Sequence, residues 1–92
     1  MRIISQDGTI DVPYEMSAIR NDDKLIILCM AGETGKGSVI ATYSTSEKAQ
    51  KAMEMLREKY KDYAKATNKS NFFTMFDYPK VFQFPQDEDV EV

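Results

Sequence analysis

Residues 44–65 carry a single apolar stripe at helical spacing, and a helix that is apolar on one side only needs a surface to lie on. Ala49, Ala52, Met53, Leu56, Tyr60, Tyr63 and Ala64 fall within about 120° of arc at 100° per residue, the width of a docked helical face. Glu47, Lys51, Glu54, Glu58, Lys61 and Lys65 occupy the opposite side. Pairs such as Glu47–Lys51 and Glu58–Lys61 contribute only about 0.2–0.5 kcal/mol each, so docking must supply most of the stability. Ser44-Thr-Ser-Glu47 matches the capping box, with a serine hydroxyl on a free amide and a glutamate reaching back, and it places the helix start beside Ser44.

The surface for this helix has to come from strands, because the remaining apolar segments are short and punctuated by turns. Arg2–Ser5 and Thr9–Val12 flank Asp7-Gly8, a strong hairpin signal, and Pro13 ends the second strand or confines it to an edge. Tyr14–Arg20 alternates, with Tyr14, Met16 and Ala18 on one face. Asn21-Asp22-Asp23 then supplies a turn. Lys24–Ala31 is almost continuously apolar, the pattern of a central strand covered on both faces. Val39–Tyr43 follows the glycine loop, and Lys80–Phe84 lies between two prolines as a last strand. The expected fold is therefore α+β in two layers: an antiparallel meander sheet of about five or six strands covered by one main helix at about 45–65. Ninety-two residues make one domain, 1–92, in which 86–92 reads as an acidic, flexible tail.

Composition narrows the function classes. A chain with 42% hydrophobic and 29% charged residues is globular. Its longest apolar run, Leu25–Ala31, is too short to span a bilayer, and the N-terminal residues lack a signal-peptide pattern. The single Cys29 cannot form an internal disulfide. These features give a cytoplasmic expectation with no membrane partner. The net charge of −3 is unevenly spread: residues 45–69 carry +3 and residues 86–92 carry −4. The acidic end opposes general affinity for nucleic acid, which depends on clustered positive charge.

Few motifs suggest chemistry. GETGKGS at 32–38 resembles a phosphate loop only superficially. Gly32 and Gly35 are too close together, Lys36 is followed by Gly37 rather than Ser or Thr, and a strand follows where a helix should open. The loop reads as a hairpin connection. The chain has no histidine, which removes the commonest general base and the usual partner of a serine or cysteine nucleophile. Cys29 sits in an apolar strand, where a thiol is ordinarily a small hydrophobe. Asp22/Asp23 and Asp87–Glu91 lack the spacing of a calcium loop, and zinc would require several Cys or His. The expectation is of no catalytic set, no cofactor and no metal. An enzyme alternative would rest on Tyr14 with Glu15, assembled by folding.

The stretch 72–84 is crowded with Phe72, Phe73, Phe76, Tyr78, Phe82 and Phe84. Such residues complete the core of a small sheet. Phe72, Phe73, Met75 and Phe76 also have the composition of an interface centre.

MRIISQDGTIDVPYE, ATYSTSEKAQKAMEMLREKY and FQFPQDEDVEV together resemble a group of small uncharacterised proteins of Firmicutes bacteria, associated with prophages and other mobile elements. The resemblance covers about half of the chain and implies a bacterial or phage cytoplasmic setting, with no catalytic residues to carry over. The expected function is that of a non-enzymatic accessory protein that binds another protein or itself. Its candidate partner surface is Phe72, Phe73, Met75, Phe76, Asp87, Glu88, Asp89 and Glu91. One alternative is a phage-type inhibitor that occupies the basic groove of a host nucleic-acid-binding protein by acidic mimicry. The other is weak direct nucleic-acid binding by Lys48, Lys51, Lys61 and Lys65 on the helix.

Overall fold

The computed structural model describes residues 1–30, 32, 37–69 and 81–92, with 64–69 as backbone only. The expected main helix is present as α1, Ser46–Lys69. Ala49, Ala52 and Leu56 are buried, with Met53, Tyr60 and Tyr63 packed around them, as the apolar stripe predicts. Met55, outside that stripe, also packs against the core.

The fold is α+β, but the described strands form two three-stranded sheets instead of one meander. The first has the order β2-β1-β6, built from β1 (Arg2–Ile4), β2 (Asp11–Pro13) and β6 (Val81–Gln83). The second has the order β3-β4-β5, built from β3 (Ser17–Asp22), β4 (Leu25–Met30) and β5 (Ser38–Thr42). Two local causes separate them. Pro13 ends β2 on a sheet edge, where its missing donor is tolerated. A 3₁₀ turn, Tyr14–Met16, then redirects the chain before β3 begins. The last strand does not continue a meander: β6 pairs parallel with β1, placing Ile3 opposite Phe82. A long connection containing α1 makes that parallel pairing possible.

The 3₁₀ turn also corrects the phase of β3. Tyr14, Met16 and Ala18 do not share an inner face. Ser17, Ile19 and Asn21 are half-buried, while Ala18, Arg20 and Asp22 are exposed and Met16 is 56% exposed. One turn of three residues inside an apparent alternation is enough to exchange the faces of a strand.

The Asp7-Gly8 hairpin forms as its residues require. Gly8 has φ +79°, and the Gly8 amide donates to the Ser5 carbonyl at 3.0 Å. β4 is central, with Ile26 and Leu28 turned into the main core and Ile27 buried on the other face. The two sheets meet at Gln6. Its backbone amide donates to the Ile40 carbonyl at 2.8 Å, and its side chain both accepts from the Thr42 amide and donates to the Thr42 carbonyl. Gln6 thereby occupies the edge of β5 as a short extra rung.

Between them the sheets and the helix bury Ile3, Ile26, Leu28, Ile40, Tyr43, Leu56, Phe82 and Phe84 in one cluster. Phe82 and Phe84 meet edge to face, with ring centroids 5.1 Å apart. These two aromatics belong to the core.

Candidate interaction surface at the C-terminal turn

The last residues of the chain cross the junction between β5, α1 and Gln6. Pro85 accepts a hydrogen bond from the Tyr43 hydroxyl at 2.8 Å and another from the Gln6 side-chain amide at 3.1 Å. Gln86 returns the contact, its side-chain amide donating to the Gln6 carbonyl at 2.7 Å. Residues Asp87–Asp89 form a 3₁₀ turn, and Val90 re-enters the core at 3% exposure. The expected tail is thus tied to the fold at Pro85, Gln86, Asp87 and Val90.

Asp87 is the hinge of this arrangement. Its carboxylate accepts from the Ser44 amide at 2.7 Å and pairs with the Lys48 ammonium at 3.4 Å, while the Asp87 carbonyl accepts from the same ammonium at 3.0 Å. The Ser44 backbone amide is the main reason its carboxyl lies below the usual aspartate range. Desolvation opposes that shift, and the Ser44 side chain and Lys48 reinforce it. Burial, with the Asp87 charge added, pushes the neighbouring Tyr43 hydroxyl up to about 12, so Tyr43 is a hydrogen-bond donor at every physiological pH.

This contact corrects the expected helix cap. The helix begins at Ser46, so the cap is Thr45, whose hydroxyl accepts from the Lys48 amide at 3.1 Å. Ser44 lies one residue too early, and its own amide is held from outside by Asp87. Glu47 makes no reciprocal box contact and instead accepts from the Ser46 hydroxyl at 3.2 Å.

The structure sorts the candidate acidic residues into two roles. Asp87 spends its charge inside the fold. Glu88, Asp89 and Glu91 are exposed and stand on either side of the anchored Val90. Phe72, Phe73, Met75 and Phe76 lie outside the described residues.

The other candidates are dispersed. Tyr14 packs on Tyr60 with centroids 4.6 Å apart, and Glu15 accepts from the Met1 ammonium through both carboxylate oxygens at 3.1 and 3.0 Å. Burial raises the Glu15 carboxyl, but the ammonium outweighs it, and the group ends below its ordinary value. Tyr14 and Glu15 are therefore engaged in different contacts. On the helix, Lys48 is bound to Asp87, and Lys61 lies 3.7 Å from Glu58. Lys51 is exposed. The Lys65 side chain falls outside the described residues. Cys29 is half-buried. Within the glycine loop, Gly37 has φ +87° and lies against β4, where an added Cβ would come within 2.6 Å of the Leu28 carbonyl.

A groove of about 480 Å³ runs between α1 and β6, floored by Met55 and Phe82 and walled by Lys51, Glu54, Glu58 and Lys59. Its walls carry both signs of charge. Among the described residues no group of three or more His, Cys, Asp or Glu could hold a metal ion. No described helix is long and apolar enough to cross a membrane. The acidic cluster is legible in the sequence, but its division of labour is not. Residues 86–92 hold two valines among the acids, and tertiary packing alone separates them, with Val90 buried and Val92 exposed. Comparison of the chain with family models, with curated proteins and with solved structures returns no match.

Proposed function

We propose that this chain works by binding another protein rather than by catalysing a reaction, and that it does so in a bacterial or phage cytoplasm. The observation that carries the reading is the anchored presentation of Glu88, Asp89 and Glu91: Asp87 and Val90 are fixed to the fold, and the three exposed carboxylates project from that footing. A charge cluster held in place loses less conformational freedom on binding than one on a free tail. Its chemistry suits a basic surface on the partner. Phe72, Phe73, Met75 and Phe76 are the apolar half of the proposed surface by composition.

The same three carboxylates favour a second reading, the acidic mimic of phosphate that occupies a host nucleic-acid-binding protein. Direct nucleic-acid binding is weaker as a proposal, because Lys48 is committed to Asp87 and Lys61 lies beside Glu58. The test is affinity capture from the native host with the wild-type chain and with Glu88→Lys/Asp89→Lys/Glu91→Lys, read by mass spectrometry. The proposal expects one or more proteins with basic surfaces to be captured by the wild type and lost from the variant. An identical capture list from both would overturn the acidic surface. Captured nucleic-acid-binding proteins released by competing DNA would select the mimicry reading. A self-associating form, the homodimer, would appear in light scattering as mass rising with concentration.

A further inference from the structure

We propose that Asp7–Gly8 is a latent isoaspartate site, held shut in the folded protein by the β1–β2 turn and exposed to reaction when that turn opens. In an Asp-Gly pair the glycine nitrogen attacks the aspartyl Cγ. The N–Cγ bond forms, the Cγ–O bond breaks, and the carboxyl oxygen leaves as water, closing a five-membered succinimide. One water then reopens the ring. Cleavage at the α-carbonyl leaves the backbone running through the aspartyl side chain, with one additional methylene in the main chain. No oxidant, metal or cofactor takes part. Glycine hinders the attack least because it has no Cβ.

Two features of the turn oppose the attack. The nucleophile is engaged, since the Gly8 amide donates to the Ser5 carbonyl at 3.0 Å. The electrophile is pinned: Asp7 Oδ1 accepts from the Ser5 hydroxyl at 2.7 Å, the Thr9 hydroxyl at 2.7 Å and the Thr9 amide at 3.0 Å. These bonds, the Thr9 hydroxyl first, hold the carboxyl down at about 2, whereas loss of water requires its protonated form. Asp7 is exposed, so the protection comes from this hydrogen-bond set and not from burial.

The location gives the reaction a consequence. Ser5 is 2% exposed, and Gln6 is the residue that joins the two sheets. An added methylene at Asp7 displaces the carboxylate from Ser5 and Thr9 and shifts the chain leaving Gln6. A turn that has reacted cannot close as before, so isomerisation records past opening of the hairpin in a covalent form that outlasts the opening itself.

The full-length chain, incubated at physiological temperature in mildly acidic buffer, tests this through isoaspartyl methyltransferase labelling and peptide mapping. Labelling at Asp7 is expected several-fold slower in the folded chain than in concentrated urea. Ser5→Ala and Thr9→Val should each raise the folded-state rate several-fold while circular dichroism remains native. Asp7→Glu should abolish the signal. If Ser5→Ala fails to fold, Thr9→Val, which alters a surface hydroxyl, decides the matter. Equal rates with and without urea, or an unchanged rate in folded Thr9→Val, would overturn the proposal.

Discussion

Gly37 shows how much one residue can impose on this fold. Its φ of +87° is a conformation that side-chain-bearing residues seldom adopt, and an added Cβ would also meet the Cys29 sulfur at 2.7 Å. Gly37→Ala is expected to lower stability by about 1–3 kcal/mol from backbone strain, with the contact adding to it, seen as a lower urea midpoint. Gly32→Ala, strained by φ +88° but with open space around it, should cost less. Asp7 gives a pH dependence at the same scale. Its folded value, about 2, lies below the ordinary 3.8. Its contribution is therefore complete above the ordinary value and is lost as pH falls from about 3.8 through about 2. Asp87 and Glu15, both lowered, act in the same direction. Asp7→Asn is expected to flatten the acid limb of stability, measured as urea midpoints across that window. The turn role of Asp7-Gly8 was legible in the sequence because both residues tolerate a local chain reversal. The role of Gly37 was only half legible: its place in a hairpin loop could be read, but its close approach to Leu28 is a tertiary contact that no local pattern encodes.

At the scale of elements, the sequence carried periodicity faithfully and phase poorly. The stripe of α1 appears as expected at Ala49, Ala52 and Leu56, because a helix of this length averages over many residues. In β3 a single 3₁₀ turn was enough to exchange inside and outside. The helix start differs from the capping-box expectation for a related reason. Ser44, Thr45 and Ser46 are all competent caps by residue type, and the selection of Thr45 depends on Asp87 taking the Ser44 amide from a distant part of the chain. The cap assignment yields a contrast between neighbouring substitutions. Thr45→Ala is expected to cost about 1 kcal/mol, and Ser44→Ala, which leaves the Ser44 amide in place, a smaller amount. Thermal unfolding of the two variants side by side checks it, and a larger loss in Ser44→Ala would return the cap to Ser44. The split into two sheets was likewise beyond local reading, since the parallel pairing of β6 with β1 joins residues about eighty positions apart.

At the scale of the whole molecule, the C-terminal segment binds together the parts that the sequence presented as separate. Tyr43, directly after β5, and Gln6, at the sheet junction, donate to the Pro85 carbonyl, Lys48 from α1 donates to Asp87, and Gln86 donates back to Gln6. Val90 adds a buried side chain to the same core that holds Phe84 and Leu56. Charge and anchoring can therefore be separated by substitution. Val90→Ala is expected to lower stability by roughly 1–3 kcal/mol, the worth of much of a buried valine side chain. Deletion of 86–92 should cost more, because it also leaves the Ser44 amide without its Asp87 partner. Neutralising Glu88, Asp89 and Glu91 to Gln, Asn and Gln should leave stability within about 0.5 kcal/mol, as expected of surface positions, while weakening capture of a basic partner and making the remainder less sensitive to salt. Urea titration and salt-dependent binding on the wild type and these three variants give the two readouts. Unfolding of the neutralised variant would make those carboxylates structural. Intact binding by it would move the contact surface elsewhere on the chain. Weakened binding with stability retained is the outcome that follows from acidic side chains presented outward on a segment fixed at Asp87 and Val90.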